Sequence, residues 1–160
     1  LDIASTLHNI GTIHYKTGDC DEAFNCYNWA IRIIRESSAD QNEEITSTDH
    51  LACAAMLGSI AVIHTKRKNY FDSLKFFHQA LTIEKSILGE KNKTVAKRYD
   101  NIGNAHFERD EFKEALKYYA EAQTIQNSLQ SIGMETTTQK TCLNIARAYT
   151  EQGSNLEAMP

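Results

Sequence analysis

The chain has 160 residues, 41% of them hydrophobic and 24% charged, which is enough apolar material for a continuous core and too much for a disordered chain. Lys and Arg total 17 against 21 Asp and Glu, a net charge of -4, so the composition supplies no basic footprint for nucleic acid or for an anionic membrane surface. The only proline is Pro160 and glycines number seven, so little interrupts helices and an all-α fold is expected.

In chain order, the first predicted helix covers 2–17, with Leu7, Ile10, Gly11 and His14 on one face. Thr17-Gly18-Asp19 reads as a turn, and a second helix over 20–37 carries Ala23, Tyr27, Ala30 and Ile33. The stretch from Glu36 to Asp49, with Glu36, Asp40, Glu43, Glu44 and Asp49 and no basic residue, reads as a solvated loop. The pattern then repeats. A helix over 50–67 carries Leu57, Ile60, Ala61 and His64; Lys68-Asn69-Tyr70 turns; and a helix over 70–88 carries Ser73, Phe77, Ala80 and Ile83. A third pair covers 93–109, with Tyr99, Ile102, Gly103 and His106, and 111–130, with Ala115, Tyr119, Ala122 and Ile125, joined by Arg109-Asp110-Glu111. A last helix over 136–152 carries Cys142, Ile145, Ala146 and Tyr149, and Gln152-Gly153-Ser154 is expected to turn toward Ala158.

The small residues Gly11, Ala61, Gly103 and Ala146 therefore mark one place in each unit, 50, 42 and 43 residues apart. Positions below are counted from these anchors. Gly18 and Gly153 suit helix C-termini, and Asp19, Asn69 and Asp110 are candidate caps for the next helix. Each unit is a helical hairpin whose small residues let helices approach closely, and such hairpins bury their apolar faces by stacking on one another.

Cys20, Cys26, Cys53 and Cys142 show no CxxC spacing, which points to a reducing, cytoplasmic compartment. No run of about 18 apolar residues suggests a membrane span and no leader is evident. Asn92-Lys93-Thr94 reads as a helix start, and the opening at Leu1 suggests a piece of a longer chain. The recurrent His14, His64 and His106 lie a whole repeat apart with no second ligand one turn away, so they read as half-buried rings and no metal is expected. No nucleophile elbow, HExxH, phosphate loop or GxGxxG is present, so neither catalysis nor a cofactor is expected.

The anchor, aromatic and alanine positions resemble the tetratricopeptide repeat family over almost the whole chain. The run Ala80-Leu81-Thr82-Ile83-Glu84-Lys85-Ser86-Ile87-Leu88-Gly89, then Thr94-Val95-Ala96 and Asp100-Asn101-Ile102-Gly103, is similar to its longer, kinesin light chain-like variety. The family's usual tryptophan is replaced by Leu7, Leu57, Tyr99 or Cys142, and its linker His-Pro by Asn92-Lys93. The resemblance implies an α-solenoid, a right-handed superhelix of antiparallel hairpins, forming a single array over 1–160 with repeats at 1–38, 50–89, 92–131 and 135–160.

It also implies a concave groove lined by each unit's first helix. The polar stripe there reads Ser5, Asn9, Thr12 and Lys16; Ala55, Ser59, Val62 and Lys66; Lys97, Asn101, Asn104 and Glu108; and Lys140, Asn144, Arg147 and Glu151. Lys97 with Asn101 and Lys140 with Asn144 resemble carboxylate-clamping pairs of the family, although Ser5 and Ala55 stand where the first two units would need the lysine. Tyr15 and Phe107 are candidate apolar contacts. The expected function is a non-catalytic scaffold or adaptor that holds a protein or peptide partner with acidic residues, with no nucleic acid and no membrane insertion. The alternatives are an array that self-associates through Leu156 and Met159, or the regulatory part of a larger enzyme.

Overall fold

The computed structural model describes residues 2–40, 46–131 and 138–157, and among these every regular element is helical. The helices are α1 (Asp2–Thr17), α2 (Cys20–Asp40), α3 (Ser47–Lys66), α4 (Tyr70–Leu88), α5 (Lys93–Phe107), α6 (Phe112–Gln130) and α7 (Thr138–Glu157). The chain divides into two units, Leu1–Ile83 and Glu84–Pro160, with the boundary inside α4.

Two expectations are corrected. Most of the acidic stretch is helical rather than loop: α2 runs on to Asp40, and Glu36 pairs with Arg32 at 3.3 Å, one turn back. Glu43 and Glu44 lie outside the described residues, and Asp49 is a capping residue. Its backbone N–H donates to Thr46 Oγ1 (3.2 Å) and its carboxylate accepts from the Thr46 N–H, a reciprocal box that starts α3. Secondly, α7 runs straight through Gln152-Gly153-Ser154. No helix among the described residues packs back onto the exposed Ala146, so no burial offsets the loss of helix hydrogen bonds that a turn would require. Ala158 lies outside the described residues.

The other three turns share one geometry. The residue seven after each anchor is left-handed: Gly18 at φ 98°, Lys68 at 58° and Asp110 at 60°. The next residue's N–H then reaches back to the histidine carbonyl five positions earlier: Asp19 to His14 at 2.8 Å, Asn69 to His64 at 2.9 Å and Glu111 to His106 at 3.0 Å. These are Schellman closures, which satisfy carbonyls left over at the helix end. Asp110 is thus the left-handed residue rather than the expected cap. Glu111 precedes α6 without a side-chain cap bond, because its carboxylate turns to His106 Nδ1 (2.7 Å) and Arg109 (2.8 Å).

Within each hairpin the anchor receives the aromatic residue sixteen positions later. Gly11, Ala61 and Gly103 are buried, and Tyr27, Phe77 and Tyr119 are at most 2% exposed. Ala30, Ala80 and Ala122 are wholly buried where the helices cross. Between hairpins, the residue 23 after one anchor stands with the residue five before the next. In the first unit this place holds the apolar Ile34 and Met56, both buried in one cluster with Ile31, Leu57, Ile60 and Ile63. In the second unit it holds an ion pair, Glu84 with Arg98, and a hydrogen bond, Gln126 Nε2 to Thr141 Oγ1 at 2.8 Å.

Candidate functional site

The polar stripe sits on α1 and α3 in the first unit and on α5 and α7 in the second, and the structure sorts its members by burial. Asn9, Lys16, Lys97, Lys140 and Arg147 are exposed; Thr12, Ser59, Asn101 and Asn104 are half-buried; Asn144 is only 7% exposed. Several have internal partners. Ser59 Oγ donates to the Ala55 carbonyl at 3.1 Å, and Thr12 Oγ1 donates to the His8 carbonyl at 2.9 Å while lying 3.3 Å from the Tyr27 hydroxyl. The Tyr119 hydroxyl donates to Asn104 Oδ1 at 2.8 Å, and Asn144 Nδ2 donates to the same oxygen at 3.1 Å. Where the anchor-facing aromatic is Phe77, with no hydroxyl, the stripe residue is the apolar Val62. Thr12, Asn104 and Asn144 therefore hold the hairpins, and Asn144 does not stand free on the surface as the spacing suggested.

The Asn104–Asn144 bond brings the stripes of α5 and α7 side by side. That leaves Lys97, the half-buried Asn101 and Glu108 on and at the end of α5, and Lys140, Arg147 and Glu151 on α7, as the solvent-facing groups of this face. The Arg147 guanidinium lies 4.9 Å from the centre of the Phe107 ring, and in the first unit Lys66 Nζ lies 3.9 Å from that of Tyr15. Each expected apolar residue is thus roofed by a cation from the next inner helix. Under the α5–α7 face lies a polar core absent from the sequence reading. Thr141 Oγ1 lies 2.9 Å from both carboxylate oxygens of Asp100, and Gln126 Nε2 donates to Asp100 at 3.1 Å. Burial pushes the Asp100 carboxyl above its usual range; the Thr141 and Gln126 bonds and the Lys140 charge pull the other way and lose. The sequence carried a signal for this layer: Glu84 and Gln126 occupy the place where Ile34 marks a core position.

Two of the recurrent histidines, His64 and His106, pack against aromatic rings. His64 lies between Phe24, edge-on at 5.8 Å, and Phe76, stacked at 5.4 Å, and burial lowers its pKa. His106 stacks on Tyr118 at 5.2 Å, and His14 Nδ1 is 3.6 Å from Asp19. Among the described residues no three of His, Cys, Asp and Glu converge on a common point, and no helix is long and apolar enough to cross a membrane. Cys20 and Cys26 are half-buried and Cys53 buried, as small apolar residues; Cys142 is exposed.

Comparison with known proteins agrees with this geometry. Tetratricopeptide repeat patterns match residues 3–37 and 51–128. No curated protein sequence matches the chain. Among solved structures, BtubC (BKLC) from P. vanneervenii superposes with a TM-score of 0.79 at 19% identity, over 94% of this chain and 56% of that one. The apo form of RapI gives 0.78 at 19% identity, over 96% of this chain and 38% of that one. The putative kinesin light chain TPR-like repeats of Podosopora anserina give 0.72 at 17% identity, over 96% of this chain and 69% of theirs. The chain thus spans little more than half of BtubC and less of RapI, and at these identities the likeness is one of fold. With its repeating anchors, Schellman turns and helical hairpins, the chain belongs to the tetratricopeptide repeat family.

Proposed function

We propose that the chain is a non-catalytic binding module of a cytoplasmic scaffold or adaptor. On this reading residues 1–160 act as one array of repeats at 1–38, 50–89, 92–131 and 135–160. A partner's extended segment lies along the inner helices, with its acidic groups on Lys97, Lys140 and Arg147 and its backbone on Asn101, while Asn9, Thr12, Lys16 and Ser59 extend the same stripe in the first unit. One observation carries the reading: Lys97, Lys140 and Arg147 stand exposed on one α5–α7 face beside the half-buried Asn101, with Asn104 and Asn144 locked to each other and Glu108 and Glu151 at the far end of the stripe. An extended peptide offers both the carboxylates and the backbone groups that such a face can take.

The test uses fluorescent peptides with acidic C-termini and the double variant Lys97→Ala/Asn101→Ala. Both residues lie on the surface stripe, so melting should stay close to that of the parent while affinity falls, and the lysine share of the loss should shrink at high salt. Unchanged affinity for every acidic peptide that the parent binds would sink the reading. A second reading, self-association, is favoured by Leu143 and Tyr149, which are 61% and 63% exposed on α7. The Leu156 side chain and Met159 lie outside the described residues.

A further inference from the structure

The second unit opens on a cleft of about 560 Å³, walled by the end of α4, the α4–α5 connection, α5 and α6. Part of its lining is aromatic. The Tyr99 and Tyr118 rings lie 6.2 Å apart with 31° between their planes, and His106 stacks on Tyr118 at 5.2 Å, which holds that ring in place. Two tyrosines are peculiar to this hairpin: Leu7 and Leu57 stand where Tyr99 does, and Cys26 and Phe76 where Tyr118 does.

The charged lining consists of Lys85, Lys91 and Lys117 against Glu90 and Glu121, a single net positive charge. Lys85 Nζ is tied to Glu90 Oε1 at 2.9 Å, and that bond first, then Tyr99, raises its pKa. Lys91 and Lys117 carry no ion pair among the described residues. The Thr124 and Ser128 hydroxyls already donate to helix carbonyls, each at 2.8 Å, so the charged donors left for a ligand are these two lysines. Burial raises the Tyr118 pKa, so its phenol stays neutral and adds no negative charge.

We propose that this cleft binds a small aromatic carboxylate, its ring against Tyr99 and Tyr118 and its carboxylate between Lys91 and Lys117. A cavity of this order, part aromatic with a few polar groups, suits a ligand of one or two fused rings. One negative charge neutralises the lining, whereas the second charge of a phosphate ester would stand unmatched near Glu90 and Glu121. The walls all fall between residues 85 and 128, and α4 already fills the place of a preceding helix. On the other side, α7 meets α6 through Gln126, about 180° round that helix from Lys117. Lys97 of the inner stripe is likewise about 200° round α5 from Tyr99, so the cleft is separate from the inner face.

The probe is 2-naphthoate, titrated calorimetrically against the 160-residue chain. Saturable binding is expected, with the neutral 2-naphthamide and the ring-free acetate both weaker. Lys91→Ala/Lys117→Ala should weaken 2-naphthoate about fivefold or more, an effect that shrinks at high salt. Both lysines are exposed, so this variant should melt like the parent. Tyr99→Leu should also weaken binding, and it installs the residue that Leu7 and Leu57 supply at the same place, so the hairpin is kept. Lys97→Ala/Lys140→Ala should leave 2-naphthoate affinity unchanged. Three results would overturn the proposal: no saturable binding by the parent, affinity that survives both Lys91→Ala/Lys117→Ala and Tyr99→Leu, or binding of 2-naphthamide or 2-naphthyl phosphate tighter than that of 2-naphthoate.

Discussion

Arg98 of α5 grips both carboxylate oxygens of Glu84 of α4, with Nη2 2.6 Å from Oε1 and Nε 3.1 Å from Oε2. The two side chains are 9% and 2% exposed, and they stand where the first junction has Met56 and Ile34. A buried, bidentate pair of this kind is strong in place and severe to break, because the survivor is left charged and dry.

Glu84→Ile alone should therefore cost about 3 to 5 kcal/mol. Glu84→Ile with Arg98→Met writes the Ile34–Met56 junction into the second unit and should recover most of that loss, since hydrophobic replacement of a buried pair is often neutral or stabilising. Urea denaturation of both single variants and the double variant measures this. Additive losses in the double variant would show that the pair's chemistry is not what the junction depends on.

Gly103 faces Tyr119 at a distance that leaves no room for a side chain: a Cβ there would stand 2.5 Å from Cε1 and 2.6 Å from Cδ1 of the ring. At Gly11 the nearest approach, to Tyr27 Cε1, is 2.9 Å. Alanine normally favours a helix by about 1 kcal/mol over glycine. At Gly103 overpacking should outweigh that gain, and Gly103→Ala should lower stability by about 1 to 3 kcal/mol. Gly11→Ala should cost less than Gly103→Ala. A higher melting temperature for Gly103→Ala would contradict the close packing of ring and backbone.

Asp100 should give an unusual pH dependence. Its folded pKa is raised above the ordinary 3.8, mainly by burial, so the folded state holds the proton more tightly than the unfolded state does. The stabilisation from this group is complete below the unfolded pKa and is lost as pH rises through the folded pKa. That sign is opposite to that of a salt-bridged aspartate. Asp100→Asn removes the titration. The stability of the parent minus that of Asp100→Asn should therefore fall as pH is raised from about 4, measured by urea melts at each pH. A difference that rises over this range would mean that the Thr141 and Gln126 bonds, rather than burial, dominate.

The hairpins were legible in the sequence because they depend on local spacing. Small residues at Gly11, Ala61 and Gly103, aromatics at Tyr27, Phe77 and Tyr119, and alanines at Ala30, Ala80 and Ala122 recur at intervals that only a helical period makes coherent, and each is buried as its place requires. Helix ends were less legible. Lys68 and Asp110 take a left-handed conformation that their residue types do not announce, because the Schellman closure and the packing of the next helix select it. Gly153, the residue best suited to that conformation, stays helical in α7.

The candidate binding face divides in the same way. Periodicity placed Asn101, Asn104, Lys97, Lys140, Asn144 and Arg147 on neighbouring helix faces, since side-chain direction follows from position in the helix. Whether an amide is free or engaged is a matter of distance between helices, and only the tertiary structure decided that Asn144 donates to Asn104 and sinks out of solvent while the cations beside it remain exposed. The same holds for Glu84, Arg98, Asp100, Gln126 and Thr141. Each is an ordinary polar residue in the sequence, and each becomes a core residue because its partner arrives from another helix.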